Sequence, residues 1–144
     1  MKLPEYITIA EVKRVCSELK LRDWTELKEP SIPLEEAQII LPLVNKGGMN
    51  IEIEEFRKGL EVELEHGTAF ADFNVTNNHP VLTAKIVMAH FMETLDYYRL
   101  LDVAELEGDL LKALAAGNID KARSKYKKLA GAKVVLGKAE AARL

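Results

Sequence analysis

The sequence predicts an all-α fold: a compact multi-helix bundle with a long central helix over about 80–101 and a C-terminal helical hairpin. Three observations predict it. Apolar residues recur at spacings of three and four along nearly the whole chain, the mark of one-sided helices. The periodic segments open on capping residues and close on Gly or Asn. The 144 residues, 48% apolar and 30% charged, suit one domain with a real core. That domain is read as 1–144, with a helical core over 5–104 and basic helices over 105–144.

Thr8, with Glu11 three residues on, reads as a capping box opening the first helix, and Tyr6 or Ile7 is placed to staple its entry. Ile9, Val12, Val15, Cys16 and Leu19 form its apolar stripe. Lys20 to Pro33 is a polar connector, with Trp24 expected to anchor it on the core. Pro33 opens a second helix whose Glu35 and Glu36 lie near the positive end of its dipole. Pro42 should kink or shorten that helix, and Asn45, Gly47 and Gly48 stop it. Asn50 caps a third helix, about Glu52 to His66, with Ile53, Phe56, Leu60 and Leu64 on its core side and Gly67 ending it. Thr68 to His79 is a loop whose Phe70, Phe73 and Val75 are expected to fold back over the domain. Asn78 or His79 caps the long helix, with Pro80 at its first position and Gly108 as its breaker. Helical runs over Glu107–Ala116, Ile119–Leu129 and Ala132–Arg143 follow, separated by Gly117, Asn118 and Gly131.

Composition narrows the function classes. No apolar run approaches the roughly 20 residues of a bilayer span, so no membrane partner is expected. Met1 to Tyr6 has no long apolar stretch behind it, so no secretory signal is read there, and the lone Cys16 suits a reducing compartment. A cytoplasmic protein is expected. Residues 1–111 carry 11 basic and 21 acidic side chains, a net of -10, whereas 112–144 carry 9 and 2, a net of +7. The basic tail reads first as a solvated face that docks near acidic surface; the sharper reading is a nucleic-acid accessory surface. Lys121, Lys125 and Lys128 line one face of a late helix and read as solvated. Phosphate-loop, dinucleotide and nucleophile-elbow signatures are absent.

The three histidines all lie between positions 66 and 90. Glu63 and His66 are three apart at the end of the third helix, and His90 and Glu93 are three apart in the fourth, so each pair shares a helical face. If the two helices run antiparallel, the pairs converge. Carboxylate oxygen and neutral imidazole suit a divalent metal such as zinc, iron or manganese. Glu63, His66, His90 and Glu93 are therefore the candidate metal ligands, with His79 at the loop mouth as an added one. Helical periodicity puts His90 and Glu93 on the apolar side, where a carboxylate needs a partner. The competing reading is a closed polar network of Glu63, His90, Glu93 and Tyr97 that fixes helix register. Acid–base catalysis without metal is the third.

Phe56-Arg57-Lys58-Gly59, Glu63-Leu64-Glu65-His66-Gly67 and Asn74-Val75-Thr76-Asn77 occur in order. They are followed by Pro80 to Ile86, Ala89-His90-Phe91-Met92-Glu93 and Asp96-Tyr97-Tyr98. With these blocks the segment 56–101 resembles a family known only as a domain of unknown function. The resemblance implies that Glu63, His66, His90 and Glu93 belong to the family's signature, and it implies no activity. Two readings of function remain beside the nucleic-acid one: a metal-binding helical domain, or a non-enzymatic interaction module that forms homo-oligomers or binds a partner.

Overall fold

The structure, a computed structural model, describes residue 4 and residues 6–144. The segment Met1 to Tyr6, where no signal is expected, lies mostly outside the described residues. The all-α expectation holds: among the described residues there are six α-helices, two short 3-10 turns and no strand. The chain forms two compact units, 1–92 and 93–144.

In the first unit, α1 spans Ile9–Glu18. Thr8 Oγ1 accepts from the Glu11 N–H at 3.2 Å, while the Glu11 carboxylate turns to Arg14, so only half of the capping box is made. Val12 and Cys16, one turn apart, are buried, whereas Tyr6 is exposed and does not staple the entry. The connector then makes a 3-10 turn, Trp24–Glu26, and Trp24 is 0% exposed, as its anchoring role requires.

Three polar side chains stitch this connector down. Glu36, in the first turn of α2 (Leu34–Val44), accepts from Trp24 Nε1 at 3.0 Å, Arg22 N at 2.8 Å and Arg22 Nε at 3.0 Å. Burial pushes the Glu36 carboxyl up, but the bonds from Arg22 and Trp24 outweigh it and hold the group below its ordinary value. Glu61 accepts from the Ile32 N–H at 2.9 Å, and Asn78 Nδ2 donates to the Trp24 carbonyl at 3.3 Å. Pro33 caps α2, which runs two residues past Pro42. The stop that follows uses Asn45, which bonds both backbone groups of Met49, and Gly48 at φ +66°.

The third helix, α3, spans Ile53–Ala69 and buries Phe56, Gly59, Leu60 and Leu64. It is capped at Glu52, not Asn50, and it passes Gly67. Gly67 is a site of close approach: an added Cβ would collide with Asn78 Oδ1 and Asn74 Nδ2. The loop after α3 also departs from expectation. Phe73 and Val75 are 77% and 84% exposed, and Phe70 is exposed too. The loop is held by asparagines instead: Asn74 Nδ2 donates to Asn78 Oδ1 at 3.0 Å, and Asn77 Nδ2 donates to the Ile7 carbonyl at 2.6 Å. Asn77 and Asn78 take φ of 49° and 61°, a conformation Asn tolerates better than most residues.

The helix expected over about 80–101 is two helices, α4 (Pro80–Glu93) and α5 (Tyr97–Ala115). Thr94 Oγ1 accepts from the Asp96 N–H at 3.2 Å, turning the chain. Asp96 stands at the N-terminal boundary of α5 and is buried, its carboxylate taking Arg99 at 2.9 Å and also Arg143 instead of a backbone N–H of the helix. With no Gly or Pro at the break, periodicity alone did not mark it.

In the second unit, α5 packs against α6 (Ile119–Ala141) as a hairpin. Gly117 at φ +67° makes the turn, and Asn118 Oδ1 caps α6 through the Lys121 N–H at 3.0 Å. Gly108 and Gly131 break neither helix. One Gly in a helix costs about 1 kcal/mol, less than a packed seam of this length returns. Within α6 the buried Ala122 and Leu129 and the half-buried Lys125, Ala132, Leu136 and Ala139 follow one another at spacings of three and four, the pattern of a coiled-coil seam. Lys125 is not a freely solvated lysine, since it pairs with Asp109 on α5.

Candidate functional site

The Glu–His cluster sits where the C-terminal half of α3 meets the last turn of α4. Glu63 is one helical turn ahead of His66, so both project to one side of α3. The Glu63 carboxylate, 11% exposed, lies 3.5 Å from His90 Nε2 on α4 and 3.8 Å from His66 Nδ1 on its own helix. The convergence expected for Glu63, His66 and His90 is thus partly realised: one carboxylate stands beside two imidazoles. The His66 side chain is 66% exposed and the His90 side chain 25%. Glu93 is exposed, in contrast to the apolar setting expected for it, because α4 ends at that residue. Among the described residues no three His, Cys, Asp or Glu side chains are grouped so as to hold a metal ion as they stand.

His79 takes the capping role. Its Nδ1 accepts from the Val81 N–H at 3.2 Å and the Leu82 N–H at 3.4 Å, satisfying the open donors of α4. The ring is buried. Burial lowers its proton affinity; Arg14 and Lys85 act in the same direction, while the His79 backbone bond and Glu11 act against them. An Nδ1 that accepts two backbone bonds is the unprotonated atom of the ring, so His79 serves α4 before any ligand.

A second candidate is the outer face of the α5–α6 hairpin. Leu100, Ala104, Glu107, Leu111 and Leu114 are exposed on α5 and recur at spacings of four, three, four and three. Ile119, Tyr126, Ala130, Val134 and Gly137 are exposed on α6 and fall on one stripe. Glu107 and Lys133 pair at 2.7 Å, so the two stripes lie on the same side of the hairpin. Leu111 is 68% exposed and Tyr126 is 64% exposed. The sequence signal for this face was present as a second apolar repeat in 97–115, opposite the packed one.

A family model described as a protein of unknown function, DUF5661, matches residues 12–107, two thirds of the chain. The chain belongs to the DUF5661 family. The DUF5661 match is wider than the segment 56–101 and takes in most of α1, the connector and the first half of α5. Glu63, His66, His79, His90 and Glu93 all fall within the DUF5661 region, and α6 lies beyond it. No curated protein and no solved structure matches the chain. No helix among the described residues is long and apolar enough to cross a membrane.

Neutral His79 sets a pH dependence. In the folded protein its pKa is below the ordinary histidine value, so between those two values the unfolded chain binds the extra proton and stability falls as pH drops below about 6.5. His79→Asn keeps a capping acceptor and removes the titration. Urea unfolding of parent and variant across pH 5–7.5 is expected to give a steeper acid-side loss for the parent; equal slopes would contradict a neutral, capping His79.

Proposed function

We propose that this DUF5661 protein acts by association, presenting the outer face of its C-terminal hairpin to a helical partner. The observation that carries the reading is the paired exposed stripe. Only Tyr98, Ala113, Ala122 and Leu129 are fully buried apolar residues in the second unit, while Leu100, Leu111, Leu114, Ile119, Tyr126, Val134 and Val135 stay exposed. Exposed apolar side chains scattered singly are ordinary, but one exposed stripe on each of two paired helices is the surface that helix pairing uses. Hydroxyl-radical footprinting of Leu111, Tyr126 and Val134 tests it in dilute purified protein, in concentrated purified protein and in cell extract. Protection in concentrated protein or in extract, relative to dilute protein, is expected; equal reactivity in all three would overturn the reading.

Glu63 favours a second, separate reading, a divalent-cation site formed with His66 and His90. Its carboxylate stands 3.5 Å from the His90 ring and 3.8 Å from the His66 ring, so one oxygen donor and two ring nitrogens are already neighbours. Closing the set requires the exposed His66 ring to turn inward about its own side-chain bonds. Zinc, iron and manganese content of untagged protein, compared with His90→Ala, is the test: metal in the parent that falls in the variant is expected, and equal content in both removes this reading.

A further inference from the structure

The partner of the hairpin face is identified by charge. α5 carries Arg99 and Lys112 against Asp102, Glu105, Glu107 and Asp109, a net of -2. α6 carries seven Lys or Arg against Asp120 and Glu140, a net of +5. One hairpin therefore presents an acidic helix and a basic helix side by side, with an apolar stripe on each. A surface of this kind is complementary to itself once it is turned through a half rotation, the condition for an isologous dimer.

We infer that two copies of this chain pair through the outer faces of their α5–α6 hairpins as a four-helix bundle, with α5 of one copy against α6 of the other and the two Gly117 turns at the same end. This inference rests on the association reading above. Of the two ways to stack the hairpins face to face, a two-fold axis across the helices sets α5 on α5 and the basic α6 on another basic α6. An axis along the helices sets acidic on basic, so charge selects the second. Neighbouring α5 and α6 in this arrangement are antiparallel. Counting outward from the turn, Leu114 comes level with Ile119, Ala104 with Ala130 and Leu100 with Val134, while Leu111 comes level with Arg123 and Tyr126 with Gly108. Glu107 comes level with Lys127 of the other copy, which is exposed in one chain. The bundle covers the stripes that leave the single hairpin thinly packed, and it uses the up-and-down packing common in four-helix bundles.

Sedimentation equilibrium of the full chain over a wide concentration range is the test, with Leu111→Glu and Tyr126→Glu beside it and far-UV circular dichroism to confirm that each variant remains helical. A dimer is expected in the parent, weakened at least about tenfold by either substitution. Two further variants fix the arrangement: Glu107→Lys and Lys127→Glu. Each is expected to self-associate poorly, since like charges meet twice, and an equimolar mixture is expected to restore the dimer because both contacts become attractive. A parent that stays monomeric at every concentration overturns the inference, as does a dimer indifferent to Leu111→Glu and Tyr126→Glu, or a mixture no tighter than its components. A monomeric parent whose stripe is nonetheless protected in extract would end the pairing of like chains and leave the association reading standing.

Discussion

The first unit depends on how Trp24 is buried. An indole is large enough to anchor a connector that has no regular helix of its own, but its N–H and the neighbouring backbone enter the interior with it. Each of those groups finds a partner supplied by a different element. The indole N–H goes to Glu36 on α2, and the Trp24 carbonyl goes to Asn78 in the loop before α4. An unmatched buried polar group costs about 1–3 kcal/mol, so these bonds act as conditions for the packing more than as additions to it. They also couple elements far apart in sequence. Asn78 is placed by Asn74 and by the absence of a side chain at Gly67, so the end of α3, the loop and the connector are fixed together.

That dependence explains which features were legible in the sequence. Local chemistry was: the Thr8 cap, the Trp24 anchor, the His79 cap before Pro80 and the helical class all follow from residue type and near neighbours. Features set by distant partners were not. Gly67 reads as a stop signal by itself, and only the approach of Asn78 shows why no Cβ fits there. Gly108 and Gly131 read as breaks, yet the seam between α5 and α6 carries both helices through them. The break at 94–96 lacks Gly or Pro and is made by Thr94 and by the capture of Asp96 by Arg99 and Arg143, the latter 47 residues away. Phe70, Phe73 and Val75 looked like core by composition, but asparagine side chains tether the loop and leave those residues outside.

The candidate sites divide in the same way. Three-residue spacing placed Glu63 beside His66, and two neighbouring helices brought His90 to the same carboxylate, as periodicity suggested. Glu93 escaped that logic because it ends its helix and is exposed. His79 was drawn into capping because its imidazole meets the open N–H groups of α4, a demand that arises at every helix start. The hairpin shows the opposite balance. The α6 side of its inner seam is built from Ala, Leu and one paired Lys, while Leu100, Leu111, Leu114, Ile119, Tyr126 and Val134 lie on the outer stripe. Helices gain most of their stability from packing an apolar face, and the proposed association rests on the face of the hairpin that is left uncovered.

The claim that buried polar pairing at Trp24 governs the first unit is tested most directly by urea unfolding of Trp24→Phe, followed by circular dichroism. Phenylalanine keeps an aromatic body but leaves Glu36 without the indole donor and a gap where the second ring stood. A loss of about 2 kcal/mol or more in unfolding free energy is the predicted result. A variant within about 0.5 kcal/mol of the parent would contradict it.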